Sequence, residues 1–151
     1  DASTTPSLRR MVQESSALAA CSPAVVEFRP EYANTSIVSS VFDEVDAIVV
    51  PSIWDENSPL VIHEAQQCRL PVITSAHGGM GELVRHGING LTFRHRDATS
   101  LADALRTAVE QPEYLHALGL CGYLHSADGQ VPTVERHAAE IVALYQRLLQ
   151  G

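Results

Sequence analysis

The sequence predicts an α/β domain with a mainly parallel sheet of about four strands between two helical layers, followed by a helical carboxyl-terminal segment. Three observations predict it. Strand-like and helix-like patterns alternate between residues 24 and 110. The strand-like runs are apolar nearly throughout, as strands are when both faces of a sheet are covered. The 151 residues, 45% of them hydrophobic, amount to a single domain over residues 1–151 with a sizeable core.

The elements follow in a regular order along the chain. Apolar residues at helical spacing predict the helices, β-branched runs predict the strands, and an Asn-Gly pair predicts the turn before the last strand. The predicted strands are AVVEF (24–28), EVDAIVVPS (44–52), LPVITS (70–75) and INGLTFR (88–94). The predicted helices are PSLRRMVQESSALAA (6–20), PLVIHEAQQCR (59–69), GELVRHG (81–87), SLADALRTAVEQ (100–111), EYLHALGLCGYLHS (113–126) and VPTVERHAAEIVALYQRLL (131–149).

Composition argues against two classes of protein. The net charge of −8, from 10 basic and 18 acidic side chains, is opposite in sign to that of proteins that bind a nucleic-acid backbone. No apolar stretch approaches the roughly 20 residues that cross a bilayer.

Cys21, Cys68 and Cys121 lack metal-like spacing, so we expect free thiols, or small core residues, in a reducing cytoplasm. We find no signal peptide, and the abrupt start DASTTPSLRR is typical of a fragment.

A candidate anion site lies where the helix at 59–69 begins. Ser58 is a good N-cap residue, and Pro59 suits the first helical position, where its missing N–H costs nothing. We therefore expect this helix to begin at Pro59. The amides of Leu60 and Val61 would then lack intrahelical partners and point outward at the positive end of the helix dipole, as in sites that bind phosphate.

Two carboxylates flank this helix start, Glu56 on the loop before it and Glu64 in its second turn. A carboxylate repels phosphate but accepts hydrogen bonds from the vicinal hydroxyls of a sugar or ribose. A ligand with hydroxyls at both ends and phosphate between them is a nucleotide sugar. The alternative is that each acid only complements the helix dipole, a contribution of about 0.3–1 kcal/mol, and spacing alone favours that alternative.

The wider pattern resembles a known family. The runs VDAIVVPSIWDENSPLVIHEA, LPVITS, GGMGELVRHGINGLTF and SLADAL follow one another as in the carboxyl-terminal half of retaining nucleotide-sugar glycosyltransferases of group 1. This is the glycogen-synthase-like family with two Rossmann-like domains, the GT-B fold. The resemblance covers residues 24–110 and includes the family's two acids with seven residues between them. It implies a Rossmann-like three-layer domain.

The resemblance also implies roles for single residues. Glu56 would contact hydroxyls of the donor sugar near the reacting centre, and Glu64 would contact the ribose hydroxyls. The backbone at the helix start would face the sugar and the diphosphate, so the implied substrate-binding residues there are Ser58, Pro59, Leu60 and Val61. Because Pro59 stands where many members have glycine, Leu60 and Val61 must supply the N–H donors.

Glycines mark a second part of the implied site and one departure from the family. Gly78 and Gly79 match the family's glycine pair, which allows close approach of the backbone at the next strand end. The alternative is a plain turn into a helix that starts at Gly81, where a proline is frequent in the family. Arg69 stands where the family usually has glycine at a helix end. A left-handed backbone there would cost arginine about 1 kcal/mol relative to glycine.

Several parts of the family pattern are not recognisable. They are the Arg/Lys pair that clamps the diphosphate, the acceptor-binding amino-terminal domain and the first two, central strands of the sheet. We interpret Arg9 and Arg10 as helix-surface charges rather than that pair. Absence of two central strands would leave apolar edges. We therefore expect either direct pairing of AVVEF with DAIVV or self-association through an open edge as a homo-oligomer.

Other residues offer weaker chemistry. His63 has no second histidine at the zinc-helix spacing, so we expect no metal site there. His77 could donate to a phosphate, with a solvated loop position as the more favoured alternative. Trp54 could stack on a base or sugar, although packing against a partner domain is the better interpretation. Ser52 and Ser75 lie at strand ends without a nucleophile elbow. Asp55 lacks the acidic pair of a phosphoacceptor receiver.

Taken together, these observations and the resemblance predict the donor-binding half of a retaining glycosyltransferase. The resemblance implies a nucleoside diphosphate sugar as donor, a glycan or lipid-linked acceptor bound through the missing domain, and no metal or other cofactor. We expect a cytoplasmic protein, with the full-length form peripheral at the inner face of the membrane as one option. We expect this chain alone to be inactive, because catalysis needs the cleft between two domains. The alternative class is a non-catalytic α/β module that binds nucleotide or phosphate, or mediates contacts.

Overall fold

The computed structural model describes residues 27, 29 and 32–150. The chain divides into two compact units, Asp1–Ala33 and Asn34–Gly151. In the first unit, the Nε atom of Arg29 lies 3.3 Å from a carboxylate oxygen of Glu27. The sheet and all of the described helices belong to the second unit.

The second unit is built on a parallel sheet. Its described strands are β1 (Ile48–Val50), β2 (Val72–Ser75) and β3 (Gly90–Phe93), in the order β1-β2-β3. Val49 pairs with Ile73, and Ile73 pairs with Leu91. Because the strands are parallel, their carboxyl ends meet at one edge of the sheet, and the loops that leave this edge are the expected place for a ligand.

Helices connect the strands and follow the last of them. Two short 3-10 helices, Asn34–Ser36 and Phe42–Glu44, flank the one-turn α-helix Ile37–Ser40. The described α-helices are α1 (Ile37–Ser40), α2 (Leu60–Gln67), α3 (Gly78–Leu83), α4 (Ala98–Glu110), α5 (Pro112–Cys121) and α6 (Val134–Gln150).

Two apolar cores lie on opposite faces of the sheet. Val72 faces one core, which α1, α2 and α3 cover with buried side chains that include Ile62 and Met80. Ile73 points the other way, as the alternation of side chains along a strand requires. It packs in the second core with Leu118 and other residues of β3, α4 and α5. The domain is therefore a three-layer α/β structure.

The predicted fold class is confirmed. Strands form within three of the four predicted runs, 44–52, 70–75 and 88–94. The predicted strand at 24–28, apart from Glu27, and the predicted helix at 6–20 lie outside the described residues, as do Arg9 and Arg10. The pairing of AVVEF with DAIVV and self-association through an open edge therefore stay predictions.

The boundaries of α3 differ from the prediction. The helix begins at Gly78 rather than Gly81 and ends at Leu83 rather than Gly87. Its capping residue Val84 has φ −120° and ψ 113°, which is extended backbone and stops the helix. The interpretation of the glycine pair as a plain turn before Gly81 is wrong, because both glycines belong to the helix.

Asn89, which directly precedes β3, joins three segments of the second unit. Its side chain is 1% exposed and donates to the carbonyls of Leu83 at 2.9 Å and Gly122 at 3.0 Å. Its Oδ1 accepts from the amide of Arg85 at 2.8 Å. The predicted turn before β3 is present at residues 87–89, and the buried amide of Asn89 joins that turn to the ends of α3 and α5.

The end of α2 has the left-handed residue that the sequence raised as a possibility. Arg69 has φ +59°, a region that glycine enters without steric cost. An L-residue there costs about 1 kcal/mol relative to glycine.

The carboxyl-terminal segment is helical, as predicted. Asp97 caps α4 by accepting from the amide of Ser100 at 2.9 Å. Gln111 ends this helix and Pro112 opens α5 at a position that suits proline. The last helix, α6, has no buried residue, and its apolar side chains remain exposed.

Candidate functional site

The loop after β1 presents Glu56 at the sheet edge where the strands end. The carboxylate is half-buried, and its Oε1 accepts from the hydroxyl of Ser52 at 3.2 Å. The same hydroxyl accepts from the amide of Trp54 at 3.3 Å, and the amide of Glu56 donates to the carbonyl of Trp54 at 2.9 Å. The hydroxyl of Ser52 thus holds the carboxylate of Glu56 against the loop backbone.

Gly78 and Gly79 lie directly against this loop. The amide of Gly79 donates to the carbonyl of Glu56 at 2.8 Å, and a Cβ added to Gly79 would overlap the carbonyl of Asn57. Gly78 has φ +53°, and a Cβ there would lie 2.9 Å from the carbonyl of Glu56. The close approach predicted for the glycine pair therefore occurs between α3 and the acid-bearing loop. Its predicted contact with a substrate stays a prediction.

The start of α2 differs from the prediction by one residue. The N-cap is Pro59, with φ −61° and ψ 115°, and the helix begins at Leu60. Ser58 is not the cap because its hydroxyl makes a 2.7 Å hydrogen bond with Nε2 of His63. Burial, and secondarily His125, lowers the pKa of His63, which favours the neutral ring in that bond.

The backbone amides at this helix start are left open. The first amide of the helix to bond back is that of Ile62, which donates to the carbonyl of Pro59 at 3.0 Å. The described part of the chain supplies no acceptor to the amides of Leu60 and Val61. These N–H groups lie at the positive end of the α2 dipole, so the predicted open helix start is present, although Ser58 does not cap it. Binding of an anion there stays a prediction.

Glu64 lies one turn further along α2 and is half-buried. It accepts a long hydrogen bond of 3.4 Å from Nδ2 of Asn34. Glu64 also lines a cavity of about 360 Å³ between α1, α2 and the segment before α6, with Val38 on the opposite wall. Glu56 is not part of that lining. The two acids therefore do not share this cavity: Glu64 lines it and Glu56 does not.

Sequence reasoning missed a histidine cluster beside the site. Nε2 of His77 is 2.5 Å from Oδ1 of Asp55, and the ring stacks on that of His95 with centroids 4.1 Å apart. Nδ1 of His95 lies 3.2 Å from the hydroxyl of Ser75. Desolvation lowers the pKa of His95, with His77 and Arg96 acting in the same direction and Asp55 opposing them.

The cluster joins loops from three strand ends. Asp55 follows β1, His77 follows β2 and His95 follows β3. In the sequence, the only sign of this cluster is that each of its residues follows a strand of the same parallel sheet. His77 is therefore not a simple solvated loop residue: its contact with Asp55 ties the acid-bearing loop to the start of α3. A contact between His77 and phosphate stays a prediction.

The remaining candidates are peripheral. Trp54 is 75% exposed, so it is available to a partner surface or ligand. Cys68 and Cys121 are free and exposed, as thiols rather than core residues, and Cys21 lies outside the described residues. Within the described residues, no three His, Cys, Asp or Glu side chains are arranged to hold a metal ion. None of the described helices combines the length and apolar character that a membrane span requires.

Many parallel α/β domains bind a phosphate or nucleotide at an open helix start beyond their strand ends. Comparison with known proteins gives the family of this chain. Residues 19–123 match the family model described as "Glycosyl transferases group 1". The chain belongs to the group 1 glycosyl transferases.

Relatives and solved structures agree with this assignment. The D-inositol 3-phosphate glycosyltransferase of Geodermatophilus obscurus is 31% identical over 123 residues, which cover 78% of this chain and 27% of the relative. That of Rhodococcus jostii is 36% identical over 114 residues, 70% of this chain and 25% of the relative. The chain thus spans about a quarter of the length of these relatives.

Two solved structures share the fold. Sucrose-phosphate synthase from Thermosynechococcus elongatus superimposes with a TM-score of 0.68 at 23% identity, over 99% of this chain and 37% of that one. Anabaena HepE in complex with UDP and glucose has a TM-score of 0.68 at 24% identity, over 89% of this chain and 37% of that one. A further HepE structure contains UDP-glucose.

Proposed function

We propose that this chain is the donor-binding region of a retaining glycosyltransferase, which transfers a hexosyl group from a nucleoside diphosphate sugar to an acceptor hydroxyl in glycan or polysaccharide synthesis. The observation that carries the proposal is the pair of N–H groups at Leu60 and Val61, which have no acceptor among the described residues and lie between Glu56 and Glu64 in the sequence. Family membership supports the same donor class, and HepE, a protein of the same fold, was solved with UDP-glucose.

Each part of the ligand has a proposed partner of suitable charge. The two amides and the α2 dipole attract the diphosphate. Glu64 accepts hydrogen bonds from the ribose hydroxyls, and Glu56, held by Ser52, accepts from hydroxyls of the donor sugar. Gly79 fixes the loop of Glu56 through its bond to the Glu56 carbonyl.

The proposed reaction proceeds on one face of the sugar. The bond between the anomeric carbon and the diphosphate oxygen breaks, and the acceptor oxygen bonds to the anomeric carbon from the same side, so the configuration is retained. The departing diphosphate takes the proton of the acceptor hydroxyl. The helix start stabilises the negative charge that develops on the diphosphate, which is where preorganised donors lower the barrier. No metal or other cofactor takes part in this scheme.

The whole protein would complete the site from outside this region. The acceptor, a glycan or a lipid-linked sugar, would bind through the rest of a polypeptide as long as the relatives. We therefore propose that this chain alone does not turn over substrate. We also propose that the protein acts in the cytoplasm, and that the full-length form can act at the inner face of the membrane.

Donor binding by acid-to-alanine variants tests the proposal. We expect Glu64→Ala to weaken binding of UDP-glucose by about tenfold to a hundredfold, because hydrogen bonds to a charged group contribute about 1.5–3 kcal/mol. Glu56→Ala should weaken it less, since the sugar is only one end of the ligand. Isothermal calorimetry with UDP-, GDP- and ADP-sugars measures both effects.

Glu110→Ala is the matched control, because it removes an equally charged, exposed side chain at the far end of α4. It should bind the donor as the unmodified chain does. Equal affinity of the Glu64→Ala and Glu110→Ala variants would contradict the proposed ribose contact. Binding of nucleotides without any preference for a sugar would favour the non-catalytic module.

A further inference from the structure

The carboxyl end of α2 is tied by side chains to the segment that leads into α6. Gln67 makes two of these hydrogen bonds. Its Nε2 donates to Oε1 of Gln130 at 2.7 Å, and its Oε1 accepts from the amide of Val131 at 2.9 Å. Both polar atoms of one amide are thus used on adjacent residues, which fixes the distance and the orientation of this segment relative to α2.

Arg69 makes the other two bonds. Nη1 donates to the carbonyl of Leu120 at 3.1 Å, and Nη2 donates to the carbonyl of Asp128 at 2.7 Å. Gly122 and Gly129 make room for the guanidinium, because a Cβ on either would overlap Nη1. Both glycines have positive φ. The unfavourable backbone conformation of Arg69 therefore accompanies a side chain that closes the loop between α5 and α6.

The open amides of Leu60 and Val61 lie at the opposite end of α2, and Glu64 lies between the two ends. The helix has eight residues, so it is about 12 Å long. Ile62 and Ala65 are fully buried against the sheet, and Gln66 donates to the carbonyl of Leu83 at 2.9 Å. These contacts hold one side of a short helix against the sheet. Because the helix is only two turns long, we expect a change at its carboxyl end to alter the position of its amino end as well.

We propose that Gln67 and Arg69 are positioning residues for the donor site: by tying the end of α2 to residues 120–131, they set the tilt of the helix and hence the positions of Glu64 and the amides of Leu60 and Val61. The effect on a ligand rests on the proposed function. The mechanical link itself does not. The link also couples the segment before α6 to the proposed donor site, so a structural change at either place alters the other.

Hydrogen exchange of the full chain tests the link without any ligand. We expect Arg69→Gly to raise the exchange rates of the Ile62, His63 and Glu64 amides about tenfold, together with those of residues 120–131, because two hydrogen bonds are lost. Arg69→Lys, which can still reach one carbonyl, should restore part of the protection. If only the backbone conformation mattered, Arg69→Gly would protect α2 better than arginine does.

A matched control separates this link from general loss of stability. Asp97→Ala removes the cap of α4 and should raise exchange there while leaving α2 unchanged. Gln67→Met, which keeps the shape but removes both hydrogen bonds, gives the same test without a change in backbone strain. Faster exchange confined to residues 120–131 in both the Gln67 and the Arg69 variants would overturn the proposal.

Donor affinity then distinguishes failure of the link from failure of the proposed function. We expect Gln67→Met to weaken UDP-glucose binding about threefold with no change for Asp97→Ala. Increased exchange in α2 of the variants, with no nucleotide-sugar binding by the unmodified chain, would overturn the proposed function and leave the link in place. Unchanged exchange in α2 of the variants, with normal donor binding, would overturn the link and leave the proposed function in place.

Discussion

Replacement of Gly79 by alanine is expected to destabilise the domain by about 3 kcal/mol and to displace the loop that carries Glu56. The added Cβ would overlap the carbonyl of Asn57, and its next contact is the carbonyl of Glu56 itself. Both contacts are backbone atoms, which cannot rotate away as a side chain could. Either α3 or the loop must shift, and the 2.8 Å bond between the Gly79 amide and Glu56 would break.

Gly81 provides the control for this substitution. It lies in the same helix, and the nearest atom to its added Cβ is 3.5 Å away, an ordinary contact. Gly81→Ala should therefore keep the stability of the unmodified chain or raise it by up to about 1 kcal/mol through helix propensity. Urea unfolding monitored by circular dichroism compares the two. Equal unfolding free energies would show that α3 does not pack on the loop as described.

The second large effect is expected at Asn89. Asn89→Ala should lower the free energy of unfolding by about 3 kcal/mol, because it leaves two carbonyls and one amide without their partner beside a buried position. The turn before β3, the end of α3 and the loop after α5 would lose their common contact. Thermal and urea unfolding measure the change.

Asn89→Asp tests which bonds matter. Aspartate keeps the acceptor for the Arg85 amide but, when ionised, cannot donate to the carbonyls of Leu83 and Gly122. It would also place a charge at a site where the side chain is 1% exposed. We expect this variant to be at least as unstable as Asn89→Ala at pH 7. Stability close to that of the unmodified chain would mean that the two donated bonds contribute little.

The fold could be predicted from sequence because its determinants are local. Charge-free β-branched runs such as Ala47–Val50 mark buried parallel strands, and Pro112 marks the end of α4. The start of α2 was missed by one residue because Ser58 bonds to His63 rather than to the helix amides. That competition depends on a ring placed five residues away, which N-cap preferences do not include.

For the candidate site, too, some features could be predicted from the sequence and others could not. The two acids and the helix start could be found from spacing, since they lie within nine consecutive residues, Glu56 to Glu64. The contact of Gly79 with the carbonyl of Glu56, and that of His77 with Asp55, join segments more than 20 residues apart. No local pattern encodes those contacts, because they depend on how neighbouring loops meet at the sheet edge.

The central claim is that the open amides of Leu60 and Val61 bind the donor diphosphate, and one labelling experiment addresses it directly. The sequence contains Leu-Val pairs only at Leu60–Val61 and Leu83–Val84. Chains labelled with carbonyl-¹³C leucine and ¹⁵N valine therefore give amide signals from Val61 and Val84 alone in a carbonyl-selected NMR spectrum. Val84 is the internal control, because it is buried and its amide already bonds to Met80.

Titration with UDP-glucose is expected to shift the Val61 signal with saturation and to leave the Val84 signal in place. Glu64→Ala should move the same titration to higher ligand concentration. A Val61 signal that stays fixed up to millimolar UDP-glucose, or that moves no more than the Val84 signal, would contradict the assignment of this helix start as the donor-binding site.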